Sequence, residues 1–432
     1  MYERFIFENY SFAPEEKKLT LQYSLDEKVS FEETILFDFD FVEYNAEALD
    51  RAFFGVFVMN GISYFKTHLP QKIEFKKGGL TENQKLFFEK TYTYGLGEFF
   101  YQNGINPEGA VNFELNPGVE SRPVNVDNLT GSLVPIGGGK DSITTAEILK
   151  KSNEDFETWT VGAYTFFAPM IENIGKLHTN VKRTIDPKLF DLNKEGALNG
   201  HVPISAILAF LGVASAILRG KQNVILSNEN SANEPNVHIG TMEINHQYSK
   251  SFEFEADFQG YVRENISSDV NYFSFLRPLS ELKIAEVFCN NFIDKYASHF
   301  SSCNRNFKIE NRKLKIENFS WCCECPKCAF VFLLFAPFVE RNELIKIFGE
   351  NLFIKEDLWK TFAQLLGQQD IKPFECVGEI DEVKRALQLA QATGNWPELK
   401  NFPISKSEYN ENEWNQNLMP SYFENLLKNF LA

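Results

Sequence analysis

Between residues 132 and 227 short apolar runs alternate with amphipathic stretches, and the periods differ. Leu133-Val-Pro-Ile136, Phe156 to Ala163, Asn180 to Ile185 and Asn223-Val-Ile-Leu-Ser227 are brief and apolar, as buried strands are. Asp141 to Lys151, Pro169 to His178 and the long apolar stretch after His201 carry helical spacing between them. Strands alternating with helices predict an α/β fold built on a doubly wound parallel sheet, with ligands held beyond the carboxyl ends of its strands. Gly137-Gly-Gly139 and Ser227-Asn-Glu-Asn230 fall at two such ends.

The chain before this segment reads differently. Lys18 to Ser24 and Glu33 to Val42 alternate apolar and polar positions like half-buried strands, while Ala46 to Lys66 and Thr81 to Gln102 have helical spacing. Thr81 and Gln84 stand at the spacing of a capping box. Prolines at 107, 117 and 123 then mark an irregular link. The expected organisation is an amino-terminal α+β domain over 1–127, a nucleotide-type α/β domain over 128–385, and a polar helical tail over 386–432.

Composition narrows the setting. Val202 to Leu218 reaches the lower length limit of a membrane span, but its Ala, Gly and Ser content predicts a helix buried against the sheet. A chain of 432 residues with 44% hydrophobic and 24% charged residues can bury a large core, and 43 Phe predict aromatic packing. The net charge of -16 opposes nucleic acid and anionic lipid, so neither is expected as a partner. The first residues lack the basic start and apolar run of a signal peptide, and seven cysteines, four of them between 322 and 328, fit a reducing, cytoplasmic setting.

Three constellations carry chemistry. In Val134-Pro-Ile-Gly-Gly-Gly-Lys-Asp-Ser142 the glycines free several N–H groups to face one anion, and Lys140 adds a full charge at a helix start. Gly137, Gly138, Gly139, Lys140, Asp141 and Ser142 are the candidate phosphate binders. Val134 and Asp141 occupy places where the Walker loop needs Gly and Ser or Thr, and the dinucleotide fingerprint fails at Ser142. The second constellation joins Ser227 to Asn236 with Asn245 to Ser251. It nominates Asn228, Glu229, Ser231, Asn233, Gln247, Ser249 and Ser251 as substrate contacts, and His246, Tyr248 and Lys250 as acid/base groups. The third is Cys303 with Cys322, Cys325 and Cys328, whose spacing suits one zinc ion but also a buried sulfur-rich loop. Cys323 is the spare one, and with its neighbours it stands as a weaker catalytic candidate, because a thiol can act as an acid or a base.

GGGKDS resembles the SGGKDS loop of the N-type ATP pyrophosphatases, with Gly137 where that superfamily usually has Ser. Together with Ser-Asn-Glu-x-Ser-Ala-Asn-Glu, Asn245-His-Gln-Tyr-Ser-Lys-Ser251, Trp321-Cys-x-x-Cys-Pro-Lys-Cys-Ala-Phe330 and Phe374-Glu-Cys-Val-Gly378, it resembles the MurL family of UDP-N-acetylmuramoyl-L-alanyl-L-glutamate epimerases. The resemblance spans about residues 130 to 385. It implies the sheet of the PP-loop type and an ATP- and magnesium-dependent inversion of the terminal L-glutamate of a peptidoglycan precursor, with AMP and diphosphate released. Asp141 would help place magnesium, and Lys250 and Arg263 would meet the anionic substrate. The rival readings are a deazapurine- or tRNA-modifying ligase with a similar loop and cysteines, and an ATP-binding regulatory protein.

Overall fold

The computed structural model describes residues 2–116, 121–162, 164–240, 242–310, 313–315, 321–369, 371–400, 402–403 and 406–432. Residue 163, where the second apolar run was expected to end, and Pro117 of the link lie outside the described residues. Four strands precede the glycine loop: β1 (Arg4–Ala13), β2 (Lys18–Leu25), β3 (Val29–Asp38) and β4 (Lys72–Phe75). The alternating segment adds β5 (Ser132–Pro135), β6 (Phe156–Val161), β7 (His178–Thr184) and β8 (Asn223–Leu226). A small hairpin, β9 (Val237–Ile239) with β10 (Met242–Ile244), precedes β11 (Asn271–Ser274).

Of these strands, all but β9 and β10 join one sheet in the order β11-β8-β5-β6-β7-β3-β2-β1-β4, and Lys308–Glu310 pairs separately with Lys313–Lys315. From β11 to β7 every pairing is parallel, as the strand–helix alternation predicts. β3 then joins β7 antiparallel, with Phe37 opposite Val181, and carries the sheet on into the antiparallel β3, β2 and β1. Successive strands leave β5 in two directions, towards β6 and β7 on one side and β8 and β11 on the other. That reversal opens a crevice at the carboxyl ends of β5 and β8, where the glycine loop and the Ser227 loop begin.

Helices cover the sheet where their apolar faces allow. Asn45 caps Ala46–Phe65 by accepting from the Glu47 and Ala48 N–H groups, and Thr81 with Gln84 forms the expected capping box. Ala46–Phe65 packs on the apolar Ile204–Arg219 helix, and Gly55 makes this close: a Cβ there would stand 2.3 Å from the Phe210 ring. Ile204–Arg219 is buried between that helix and the sheet, and among the described residues no helix is long and apolar enough to cross a membrane. The phenylalanines gather as expected: Phe7 and Tyr23 touch each other, and each also touches the rings of Phe5 and Phe57.

Several boundaries differ from the sequence pattern for local reasons. The helix expected from Pro169 runs over Tyr164–Ile174 with the proline inside it. The stretch 81–102 is two helices, Glu82–Gly95 and Gly97–Asn103, parted at Leu96. β1 went unseen because its Phe5-Ile-Phe7 run is buried without alternation and a register shift follows at Phe7 to Asn9. The tail is less helical than its polarity suggests. After Ile380–Thr393 it is mostly irregular until Ser421–Leu431, and Trp396, Leu399, Phe423 and Leu427 are buried in the core.

Candidate active site

The glycine loop is an open cradle at the end of β5. Gly138 has φ +88°, and a Cβ there would meet the Phe167 ring at 2.5 Å and the Ser301 carbonyl at 3.3 Å. The Ser301 N–H donates to the Gly138 carbonyl at 3.0 Å, which fixes the back of the loop. A Cβ on Gly137, by contrast, would meet nothing within 4 Å. The helix Lys140–Lys151 begins at Gly139 with no side-chain cap, so its first N–H groups are left for an anion. Ser142 does not cap that helix; its Oγ accepts from the Gly137 N–H at 3.3 Å and donates to the Gly139 carbonyl at 3.2 Å.

Lys140 lies at the centre of a buried charge chain. Its ammonium contacts both Asp141 and Glu281, and the other Glu281 oxygen accepts from Lys327 at 3.2 Å. Burial opposes the Lys140 charge, but Asp141 and Glu281 hold its pKa above the ordinary lysine value. Burial likewise disfavours an ionised Glu281, yet Lys140 and Lys327 hold it below the usual carboxylate range. At Glu229 the nearby cations Lys250 and Lys327 are outweighed. Burial, then Glu281 and Asp141, push its carboxyl up. One oxygen from each of Asp141, Glu229 and Glu281 lies within 4.8 Å of the others, a donor set suited to a hard divalent cation.

A second chain of polar groups adjoins the first through Lys250, which feels both Glu229 and Cys376. The Lys250 Nζ is 3.2 Å from the Cys376 Sγ, and His246 is also hydrogen-bonded to that thiol. His246 Nδ1 contacts the Glu98 carboxylate, and the His201 ring lies 4.6 Å from the His246 ring, centroid to centroid. Burial would drive the His246 proton off, but Cys376 and Glu98 retain it and bring the pKa up to about 9. Burial, then the His246 charge, takes His201 down to about 4, so Glu98, His201 and His246 form an ion pair with a neutral neighbour. Burial would raise the Cys376 thiol; Lys250 and His246 outweigh it and hold the group down to about 5.

Arg277 ties the two polar loops together. Its fully buried guanidinium is paired with Glu255 and donates to the main-chain carbonyls of Glu229 and Lys250, both at 2.5 Å. Of the substrate contacts expected from the sequence, Glu229 and Gln247 stand beside the charged chains, and the Gln247 Oε1 is buried with no partner among the described residues. Asn228 donates to the Ser274 hydroxyl at 3.1 Å. Ser231, Asn233 and Ser251 bond main chain instead: Ser231 takes the Glu281 N–H, Asn233 the Phe252 N–H, and Ser251 caps Phe252–Asn265. Ser249 is buried. Asn230, Asn233, Asn245, Tyr248 and Ser251 line a cavity of about 370 Å³ beside these loops.

Tyr248 is not drawn into the His246–Lys250 pair. It stacks on Tyr94 at 5.3 Å, and its buried hydroxyl has no partner among the described residues. Arg263 is exposed on its helix. Cys323 points elsewhere, giving its Sγ to the Phe348 carbonyl at 3.1 Å among Trp321 and Phe348, where burial pushes its thiol up to about 12. Sequence reasoning overlooked Glu98, His201, Glu281, Lys327 and Cys376. The last two lie in motifs already singled out, but nothing local assigned them a partner.

Cys303, Cys322, Cys325 and Cys328 do converge, with all four sulfurs within 4.8 Å. Their contacts of 3.5, 3.7 and 3.9 Å are too long for disulfides and near the edge of about 3.8 Å expected for a tetrahedron with zinc–sulfur bonds of about 2.3 Å. The cluster backs the glycine loop: Ser301 and Ser302, just before Cys303, touch Gly138 and Gly139, and Lys327 lies between Cys325 and Cys328.

Residues 1–275 match the family model described as the MurL N-terminal domain, and residues 299–419 match the MurL C-terminal domain. The chain is 37% identical over 382 residues to a protein of Xanthomonas oryzae pv. oryzae named UDP-N-acetyl-alpha-D-muramoyl-L-alanyl-L-glutamate epimerase; the match covers 88% of this chain and 84% of that protein. Proteins of the same name from Micromonospora sp. and Salinispora tropica are 37% and 35% identical, over 78% and 91% of this chain and 74% and 86% of theirs.

Proposed function

The chain belongs to the MurL family, and from that premise we propose that it inverts the terminal glutamate of UDP-N-acetylmuramoyl-L-alanyl-L-glutamate by using ATP to activate the glutamate carboxylate. The α-hydrogen of a free glutamate is a poor acid, because its removal would set a carbanion beside a carboxylate. Adenylation removes that negative charge and gives the electron pair an enolate to occupy. Water then hydrolyses the acyl adenylate, so the product is the D-glutamate epimer, with AMP and diphosphate as the by-products. Relatives with the epimerase name over most of the chain leave the ligase and regulatory readings without support.

The observation that carries the ATP reading is the uncapped helix start behind an open glycine loop, with Lys140 as the first helical residue. The loop N–H groups and Lys140 would take the diphosphate end of ATP, in a sheet of the PP-loop type. Lys327 matters here: when Lys140 turns to phosphate, Glu281 keeps a countercharge. Asp141 and Glu229 would hold magnesium, which when bound offsets phosphate charge as diphosphate departs. Cys303, Cys322, Cys325 and Cys328 would hold zinc as a structural cross-link behind the cradle. His246 and Lys250 stand together on the Cys376 sulfur, two cations that would meet an anionic dipeptide.

The test is to incubate the protein with ATP, magnesium and the UDP-muramoyl dipeptide, then read glutamate chirality and nucleotide products. D-glutamate appearing together with AMP is the expected result. D-glutamate formed without AMP would remove the adenylation step, and AMP without D-glutamate would remove the epimerisation.

A further inference from the structure

Cys376 is unlike the other described cysteines. Four form the sulfur cluster, and Cys289 and Cys323 are buried with their thiols pushed up. Cys376 alone among them has a lysine ammonium at 3.2 Å and an imidazole on the same sulfur, and the residue is half-buried. Burying two cations against a thiol is unfavourable unless the sulfur is an anion, and that arrangement makes a reactive thiolate.

The segment around it is pinned from both sides. The Pro373 carbonyl accepts from the Asn236 side chain at 2.9 Å, and Glu375 accepts from Asn304 at 2.6 Å. Lys250 is fixed in turn by Arg277 on its carbonyl. Next to His246, the Gln247 Oε1 is buried and lacks a partner among the described residues, a polar atom left over for a ligand.

We propose that Cys376, held as a thiolate by Lys250 and His246, is the base that takes the α-proton of the activated glutamate from one face. The proposal rests on the epimerase reading above. The Cα–H bond breaks, the proton goes to sulfur as S–H, and the electron pair becomes the carbon–carbon π bond of the enolate. A second protonated side chain on the opposite face then supplies a proton, and the π pair forms the new Cα–H bond. Solvent returns a proton to that second group and takes one from the thiol, so both side chains recover, and water then hydrolyses the acyl adenylate to release AMP and the D-glutamate carboxylate. Lys250 and His246 act here as positioning residues for the sulfur.

The test uses the full-length protein in deuterium oxide with ATP, magnesium and the UDP-muramoyl dipeptide. Cys376→Ser is expected to lose D-glutamate formation and α-deuterium uptake by at least about 100-fold, the usual scale for a missing general base. It should keep dipeptide-dependent exchange of labelled diphosphate into ATP, which reads activation alone. A Cys376→Ser protein that epimerises at the unmutated rate overturns the proposal. So does one that melts normally but loses exchange and epimerisation together, since the thiol would then serve activation. If the variant does not fold, the unmutated protein still decides. Iodoacetamide should label Cys376 readily at pH 6 and abolish deuterium uptake while exchange persists, and Lys250→Met should move the labelling midpoint upward. Labelling that waits for the ordinary thiol range overturns the proposal. The unmutated protein separately reports on the ATP step: D-glutamate without AMP removes adenylation yet leaves the thiol judged by D-glutamate and deuterium.

Discussion

Two side chains with opposed displacements set an expected pH window for turnover. Cys376, held down to about 5, must be ionised to accept a proton, so activity should rise as pH increases through that value. His246, brought up to about 9, keeps the thiolate in place only while protonated, so activity should fall as pH rises past it. A bell-shaped kcat/KM profile with these limbs is therefore expected, and Lys250→Met should move the acid limb upward. The buried chain gives a second expectation. Lys140→Met leaves Glu281 with Lys327 alone as countercharge, so the cost should stay below the ~3–5 kcal/mol of a buried charge stripped of its partner. The variant should melt lower and lose diphosphate exchange by about 100-fold or more, which thermal denaturation and exchange assays check. Sequence disclosed only half of these pairs. Lys140 and His246 stand in motifs whose chemistry is local. Glu281 and Cys376 reach their partners across 141 and 126 residues of chain, and a glutamate in an amphipathic helix or a cysteine in a short loop carries no mark of such a contact.

The glycine loop was the most legible element because its demands are local. A strand, three residues without Cβ and a helix start suffice to define a cradle, whatever the rest of the chain does. Its glycines are nevertheless unequal. Gly138→Ala should destabilise the protein by about 1–2 kcal/mol from its left-handed backbone alone, with the Phe167 contact adding to that, and should weaken ATP binding by calorimetry. Gly137→Ser should cost little, since its Cβ would enter open space, and would restore the serine of the pyrophosphatase loop. Spacing also marked the cysteine loop, but not its use. Ser301 and Ser302 back the cradle two residues and one residue before Cys303, so metal there would stiffen the phosphate site from behind. Protein purified without added metal should hold about one zinc per chain. Stripping it with a chelator should lower the melting temperature and weaken ATP binding, whereas Cys323→Ser should leave zinc content unchanged. Helix boundaries were less legible where a proline misled. Pro169 reads as a helix start, yet Tyr164–Ile174 runs through it.

At the scale of the whole molecule, the change of pattern near residue 127 marks a change in strand polarity within one sheet. β3 pairs with β7, and residues from Phe5 to Tyr272 share a single hydrophobic cluster. Alternation can show that a strand is half-buried, but it cannot show which strand lies beside it, so this junction had no signature in the sequence. The site depends on the junction: Glu98, in the amino-terminal part, is the carboxylate that holds His246. Residues 128–432 alone would bare the hydrogen-bonding edge of β7 and the face of Ile204–Arg219 that meets Gly55, an exposed edge and apolar patch of the kind that drives association. We expect the two parts to unfold as one. Urea denaturation followed by Trp fluorescence, which reports Trp159, Trp321 and Trp396, should coincide with far-ultraviolet dichroism, which reports the amino-terminal strands and helices as well. A fragment beginning at residue 128 should aggregate. If it instead stays monomeric with a cooperative melt, β3–β7 is a contact between independently stable domains, and Glu98→Gln becomes the decisive variant: it should lower the His246 pKa and draw the alkaline limb of the pH profile towards neutrality.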